Sequence, residues 1–416
     1  NKGELDAAID SYKQAIKIKP DYAKAYSNMG NALKDKGDLD AAIDIYKQAI
    51  NIKPDFAVAY SNMGVALKDK GELDTAIDSY KQAINIKPDY AEAYNNMGNA
   101  LQDKGELDAS IDSYKQAIKI KPDYAEAQDN LVNLLTAHVP TTSLLNPTIV
   151  AHQNLRKISL RHNNPEVKSD KHIVNIVSEI QKILDNNAIN METKETQIYR
   201  RNSLDLNCNR HLEIFNTHSI IPEFCFGCYK VQVEPKSIIE LLSLFIIFDQ
   251  LKLDNNNTRK CMVELRPKIS GFYKGLIYCS GLDEANAVSK YLDVILQQSI
   301  RPNMHSQIKR GCSEYPLSFP LYKEINMLGP QPMNFDSEWK EIEVEHDKKF
   351  SVKPQYNLKP TLRGLSLLDC KIMQNWFGYA KGLSDKSLDL IDGNINFNQK
   401  FFELGSERVG RHYQKT

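Results

Sequence analysis

This sequence predicts an all-α solenoid of helix-turn-helix repeats followed by an α+β domain. Three observations predict it. Asp21-Tyr22-Ala23, Asp55-Phe56-Ala57, Asp89-Tyr90-Ala91 and Asp123-Tyr124-Ala125 recur every 34 residues, each group preceded by a proline. Beyond about residue 199 the apolar pattern turns from helical spacing to mixed helical and alternating spacing, the sign of a sheet with helices. Composition divides the same way: all seven cysteines lie after residue 200, all nine histidines at or after His138, and the first 139 residues carry 17 Lys, no Arg and 22 acids.

The chain has 416 residues, enough for two or three domains and for cores that need no disulfide staples. Lys plus Arg equals Asp plus Glu at 53 each, which argues against a chain dominated by phosphate-backbone binding. The longest apolar run, Ile238–Phe248, contains Glu240 and is too short to span a bilayer. An odd number of cysteines in a chain without a visible signal predicts reduced thiols and an intracellular, cytoplasmic location. Asn1 falls inside a repeat, so the chain reads as a fragment whose natural start is missing.

Within one period, a first helix is expected over Ala23–Lys36, broken by Gly37. A second is expected over Leu39–Ile52, ended by Pro54. Tyr26, Met29, Gly30 and Leu33 form the inner face of the first helix; Ala42, Tyr46 and Ala49 form that of the second. Gly30 and Ala42 allow close approach, and Tyr46 and Leu33 fill the space beside them. One such unit cannot bury its faces alone, so stacking is required.

The pattern Tyr26-x2-Met29-Gly30-x2-Leu33, Gly37, Ala42, Tyr46, Ala49, Pro54 resembles the tetratricopeptide repeat family. It returns from Tyr60 to Pro88 and from Tyr94 to Pro122, where Ser110 replaces the small Ala. The resemblance covers residues 1–137: a partial first repeat, three full repeats and a terminal helix. It implies a right-handed superhelix whose first helices line a concave, partner-binding groove. It places Asn28, Asn62, Asn96 and Asn130 there, one per layer, with Asn31 and Asn99 beside them and Val65 in the middle. The repeats are similar to those of O-linked N-acetylglucosamine transferases, in which an asparagine ladder holds an extended peptide by its backbone; no transferase catalytic domain is recognisable downstream. An Asn amide offers a donor and an acceptor, so a row of them suits a peptide main chain. Lys34, Lys68, Asp35, Asp69 and Asp103 would add charge selection. The bland alternative is a row of solvated polar residues, repeated because the units are copies.

A helical linker is expected over residues 138–198, with helices at Ile149–Leu160 and Lys171–Asn187. A cysteine-rich α+β domain is expected over 199–330. Its strands are Tyr229–Val233, Cys261–Leu265, Phe272–Tyr278 and Ser306–Arg310, the last extending toward Ser318. Its helices are Pro235–Leu251 and Asp283–Gln298. The order β-α-β-β-α-β suggests a ferredoxin-like sandwich, a fold that implies no one function. A mixed extension follows over 331–416, with strands at Ser337–Val344 and Phe350–Val352 and a helix at Leu365–Gly378.

Cys208-x2-His211 and Cys225-x2-Cys228 have the ligand types and pairing of a zinc site. Against it, no glycine follows the first pair. The alternatives are cysteines packed as small hydrophobes, or a redox pair. Cys261, Cys279 and Cys312 fall on or near other strands and could converge with Cys228. Basic and aromatic residues interleave from Arg200 to Arg310, the pattern of sheets that stack single-stranded RNA. No phosphate loop, Gly-x-Ser-x-Gly or His-Glu-x-x-His is present; Glu264, Arg266, His305 and Glu314 are the polar-cleft candidates. The expected function is a protein-interaction scaffold that binds a peptide or partner protein in the repeat groove and presents it to the second domain. The alternatives are a protein-modifying or metal-dependent enzyme that recruits substrates through the repeats, and an RNA-binding second domain.

Overall fold

The computed structural model describes residues 2–141, 146–160, 170–187, 189, 192–204, 206–267, 269–349, 360–391 and 395–413. The chain divides into two units, Asn1–Asn146 and Pro147–Thr416.

In the first unit, α1 (Lys2–Ile18) is followed by the pairs α2 (Ala23–Lys36) and α3 (Leu39–Ile52), α4 (Ala57–Lys70) and α5 (Leu73–Ile86), and α6 (Ala91–Lys104) and α7 (Leu107–Ile120). The last helix is α8 (Ala125–Leu135). Each first helix ends on a left-handed glycine, with φ of 94°, 89° and 89° at Gly37, Gly71 and Gly105. Beyond Gly37, the Asp38 N–H donates to the Leu33 carbonyl at 2.9 Å, closing the helix end and turning the chain. Gly30, Gly64 and Gly98 set the helix-to-helix approach. A Cβ on them would lie 2.6, 2.6 and 2.5 Å from ring carbons of Tyr46, Tyr80 and Tyr114. The tyrosine rings therefore lie directly on bare helix backbone, and all three are fully buried.

In the second unit, α9 (Pro147–Lys157) and α10 (Asp170–Asn186) precede a five-stranded antiparallel sheet. Its parts in chain order are β1 (Gln197–Arg200), α11 (Cys208–His218), α12 (Glu223–Gly227), β2 (Tyr229–Val233), α13 (Ile238–Gln250), β3 (Arg259–Val263), β4 (Tyr273–Cys279), α14 (Leu282–Ser299) and β5 (Gln307–Arg310). The strand order is β1-β3-β4-β2-β5. From β2 to β5 this is the ferredoxin-like order, with β1 added as an outer strand beside β3.

Register sorts the side chains onto two faces. One face carries Val231, Val233, Cys261, Val263, Ile277 and Cys279, all buried, and α13 and α14 pack on it. Gly275 lets α13 touch the strand backbone, since a Cβ there would meet Leu244 at 2.4 Å. The other face carries Tyr199, Lys230, Gln232, Lys260, Met262, Lys274, Leu276, Tyr278 and Lys309. The chain ends with α15 (Trp339–Lys349), α16 (Leu367–Gly382) and α17 (Gln399–Tyr413).

Three expectations are corrected. Ser337–Val344 is not a strand. It enters α15, which packs against α11 through Arg210, bound to Asp347 at 2.7 Å and to Glu343 at 3.2 Å. The candidate strand at 350–352 lies outside the described residues. The last strand stops at Arg310: Gly311 follows, and short 3-10 turns at Tyr315–Leu317 and Pro320–Lys323 replace any continuation. Gly311 is required there, because a Cβ would sit 2.3 Å from the Cys228 Sγ. The third correction concerns the strand cysteines. Cys261 and Cys279 face the helices, whereas Cys228 and Cys312 line the opposite side of the sheet, so the four do not converge.

Candidate functional site

The asparagines of the first unit divide by what lies one repeat away. The Tyr46 hydroxyl donates to Asn31 Oδ1 at 2.6 Å, and the Asn62 amide donates to the same oxygen at 3.0 Å. Two repeats later, the Tyr114 hydroxyl donates to Asn99 Oδ1 at 2.7 Å, and Asn130 donates to it at 3.1 Å and to Asn95 Oδ1 at 3.0 Å. In the middle repeat the equivalent position is Val65. There the Tyr80 hydroxyl is buried with no hydrogen-bond partner among the described residues. Asn96, which would have donated to position 65, is half-buried, and among the described residues its amide has no partner; the same holds for Asn28. Asn62 and Asn130 are thus held by other side chains, while Asn28 and Asn96 are not. Lys34 pairs with Asp35 at 3.2 Å. Lys68 lies 3.7 Å from both Asp69 and Asp103, joining two repeats.

In the second unit, a cavity of about 880 Å³ opens over the lysine-bearing face of the sheet. Cys208, His211, Cys225 and Cys228 all contribute to its wall, as does Cys312. Cys208 is exposed in the first turn of α11, and His211 stacks on Phe224 with ring centroids 5.1 Å apart. Cys225 is buried with its Sγ 3.3 Å from the Tyr315 hydroxyl. Among the described residues no group of three or more His, Cys, Asp or Glu side chains is arranged to hold a metal ion. Burial pushes the Cys228 thiol up to about 12 and the Cys312 thiol up to about 11, so both are protonated at neutral pH.

The cavity is rich in cations. Burial lowers the Lys230 and Lys260 ammonium groups to about 8. Lys230 Nζ donates to the Gly311 carbonyl at 3.0 Å; Lys260 Nζ donates to Gln197 Oε1 at 2.8 Å and reaches the Tyr199 hydroxyl at 3.3 Å. Glu264 takes Arg266 through Nε at 2.8 Å and Nη2 at 2.9 Å, and Lys274 at 3.2 Å. Burial opposes ionisation of Glu264, but the Arg266 hydrogen bonds and the Lys274 charge outweigh it and hold the carboxyl near 2. Arg266 also reaches Glu314 at 3.1 Å. Of the four polar-cleft candidates, three therefore meet. His305 is elsewhere, exposed beside Gln297 and Asp293.

Family models described as TPR repeat match residues 1–37, 30–71 and 64–105, and one described as Tetratricopeptide repeat matches 91–124. Residues 1–124 are tetratricopeptide repeats. No curated protein matches it. Among solved structures, it is similar to one titled "Crystal structure of MamA", at 31% identity, 32% of this chain, 78% of that chain and a TM-score of 0.30. A second, "Crystal structure of MamA protein", shares 23% identity over 47% of this chain and 91% of that one, with a TM-score of 0.32. A third, "First TPR of Spaghetti (RPAP3) bound to HSP90 peptide SRMEEVD", shares 23% identity over 27% of this chain and 89% of that one, with a TM-score of 0.26. No helix among the described residues is long and apolar enough to cross a membrane.

Two features of the tetratricopeptide unit and one of the sheet escape a reading of motifs alone. Lys36, Lys70 and Lys104 reach back one repeat to Asp6, Asp40 and Asp74 at 2.6, 2.7 and 2.6 Å. His138 takes the next place in that series, with Nε2 2.8 Å from Asp108. A cation also lies over the aromatic ring at every repeat junction, from Lys19 on Tyr22 to Lys121 on Tyr124, at 4.9–5.5 Å. Both series share the 34-residue period and could have been found with it. In the sheet, the alternation of Lys230 with Val231 and Val233 places the lysine on the polar face.

Proposed function

We propose that the tetratricopeptide unit binds an extended segment of a partner protein through main-chain hydrogen bonds, with Asn28 and Asn96 as the residues whose amides are available for it. The observation that carries this reading is the division of the asparagines. Asn62 and Asn130 spend donors on Asn31, Asn95 and Asn99, whereas Asn28 and Asn96 have none of these contacts. A free amide in a half-buried position is costly unless water or a ligand completes it. A peptide backbone completes it with little regard to side chains. In this reading Asn31, Asn62, Asn99 and Asn130 hold the surface rigid, and Lys34 and Lys68, each tied to aspartates, set the charge at its edge.

Binding here would tether the partner to the second unit and raise its local concentration there. The test is selection from a displayed library of random peptides against the full chain. The reading expects enriched peptides that compete for one site and lose affinity when Asn28→Ala and Asn96→Ala are combined. A library that yields no peptide above the bare support, or peptides indifferent to both substitutions, would contradict it.

A further inference from the structure

We infer that the lysine-bearing face of the sheet in the second unit is a binding site for a small phosphate-bearing ligand. Four lysines project from this one face: Lys230, Lys260, Lys274 and Lys309. With Arg201 and Arg266, the cavity wall carries six cationic side chains against two acidic ones, in a chain whose net charge is zero. Internal pairing accounts for only part of this excess. Arg266 and Lys274 are matched by Glu264 and Glu314, and Lys309 lies 3.7 Å from Glu234. Lys230, with 8% of its surface exposed, meets a carbonyl oxygen, and Lys260 meets an amide and a phenol. Arg201 lies on the Tyr199 ring at 4.0 Å.

Cations gathered in a partly enclosed space repel one another and have lost hydration. An anion that enters gains from both effects, because the low-dielectric wall strengthens each attraction.

The donor set selects the class of anion. Planar carboxylates are best taken by a guanidinium fork, and the Arg266 fork is already closed on both oxygens of Glu264. What remains is mostly ammonium groups, compact point charges that suit the many oxygens of a phosphate. The cavity is far larger than one phosphate and lies within the ~300–1,000 Å³ range of organic-ligand sites. It also presents Tyr278 and Met262 beside the charges. The ligand is therefore an organic molecule with one or more phosphates. α11 and the Gly311–Glu314 segment wall the face, which distinguishes it from an open platform on which a long single strand would lie.

The test uses the full chain and inorganic tripolyphosphate as probe, with binding followed by calorimetry and by thermal unfolding. The expected result is saturable binding at millimolar or lower concentration, with a rise in the unfolding temperature. Lys260→Met and Lys230→Met should each weaken binding roughly tenfold. Without the probe they should unfold at the parent temperature or above, since each removes a repelled charge. The neutral amide Lys260→Gln gives the same reading should the methionine variants not accumulate. No binding of tripolyphosphate by the parent protein would overturn the inference. So would unchanged affinity in all three variants, or variants that unfold well below the parent, which would mark the lysines as structural. Binding of oligothymidylate that strengthens with length and is not displaced by tripolyphosphate would assign the face to single strands instead.

Discussion

Among the described residues the Tyr80 hydroxyl is buried without an acceptor, because Val65 occupies the place that Asn31 and Asn99 hold in the neighbouring repeats. One residue thus has two effects: it takes the acceptor from a phenol, and it removes the oxygen that Asn31 and Asn99 offer to Asn62 and Asn130 in the neighbouring repeats. The first effect weakens the middle repeat. The second leaves an amide available to a partner.

Val65→Asn should restore the missing acceptor. An added buried hydrogen bond is worth about 1 kcal/mol net, and relief of an unsatisfied group adds to it. Denaturant unfolding of the full chain should show a higher midpoint for the transition of the repeat unit. The converse, Asn31→Val, should cost about 1–3 kcal/mol, because it orphans Tyr46 and strips Asn62 of its acceptor. A repeat unit indifferent to both changes would show that water already completes these groups.

Gly64→Ala should destabilise the same unit by about 1–3 kcal/mol, the range for a group forced into a filled core. The added Cβ would meet the Tyr80 ring at 2.6 Å, and the ring is fully buried and cannot retreat. Gly71→Ala should also destabilise, by a different route, since φ is 89° there and no contact is at stake. Tyr80→Leu should recover part of the first loss when combined with Gly64→Ala and none of the second when combined with Gly71→Ala; unfolding midpoints of the three single and two double variants decide.

Arg200 ties three segments of the second unit together. Its guanidinium donates to Asp249 at 2.5 Å, to Asp369 at 3.2 Å and to the Gly364 carbonyl at 2.7 Å. Phe245 lies 4.8 Å below it, and Asp369 also closes the capping box of α16 with Ser366. Arg200→Met should cost about 3–5 kcal/mol, since two buried carboxylates lose their counter-charge. Asp249→Asn in that background should cost much less than it does alone. A double-mutant cycle by urea unfolding measures the coupling, and additive losses would contradict this arrangement.

His152 makes the second unit sensitive to mild acid. Burial, with the nearby Arg156 charge, lowers its imidazole from 6.5 to about 4. Its Nδ1 accepts from the Leu367 N–H at 3.4 Å, which requires a ring nitrogen without a proton. Below pH 6.5 the unfolded chain binds a proton that the folded chain refuses. Stability is therefore intact above pH 6.5 and lost as pH falls toward 4, by a total on the order of 3 kcal/mol. His152→Asn should flatten that part of the stability profile. An unchanged slope between pH 6.5 and 4 would assign the acid sensitivity to other groups.

The repeat unit was legible almost residue by residue, because each side chain's surroundings are set one 34-residue period away. The helix ends at Lys36 and Ile52 follow from Gly37 and Pro54. Even the odd place of Val65 stands out in the sequence. Its consequence does not, because the Tyr46–Asn31 bond is seen only once the helices pack. In the second unit the order β2-α13-β3-β4-α14-β5 was legible, but the faces of these elements were not. Arg259 and Arg310 look like Lys260 and Lys309 in the sequence, yet register turns the arginines toward the helices and the lysines toward the cavity. β1 escaped notice because four residues carry little alternation, and its partner β3 lies 60 residues on. The α15 segment reads as a strand because its apolar residues are few, whereas the bonds of Arg210 on α11 hold one face of it as a helix. The cavity draws on β1 to β5, α11 and the segment after Gly311. No local pattern could reveal it.

The most direct test of the central claim is a backbone N-methyl scan of a peptide selected by the tetratricopeptide unit, with affinities measured against the parent protein and against Asn96→Ala. If the groove grips the main chain, methylating one or two amides should weaken binding roughly tenfold in the parent protein, and at least one of these losses should shrink in Asn96→Ala. A flat N-methyl scan, with all affinity carried by peptide side chains, would contradict the claim.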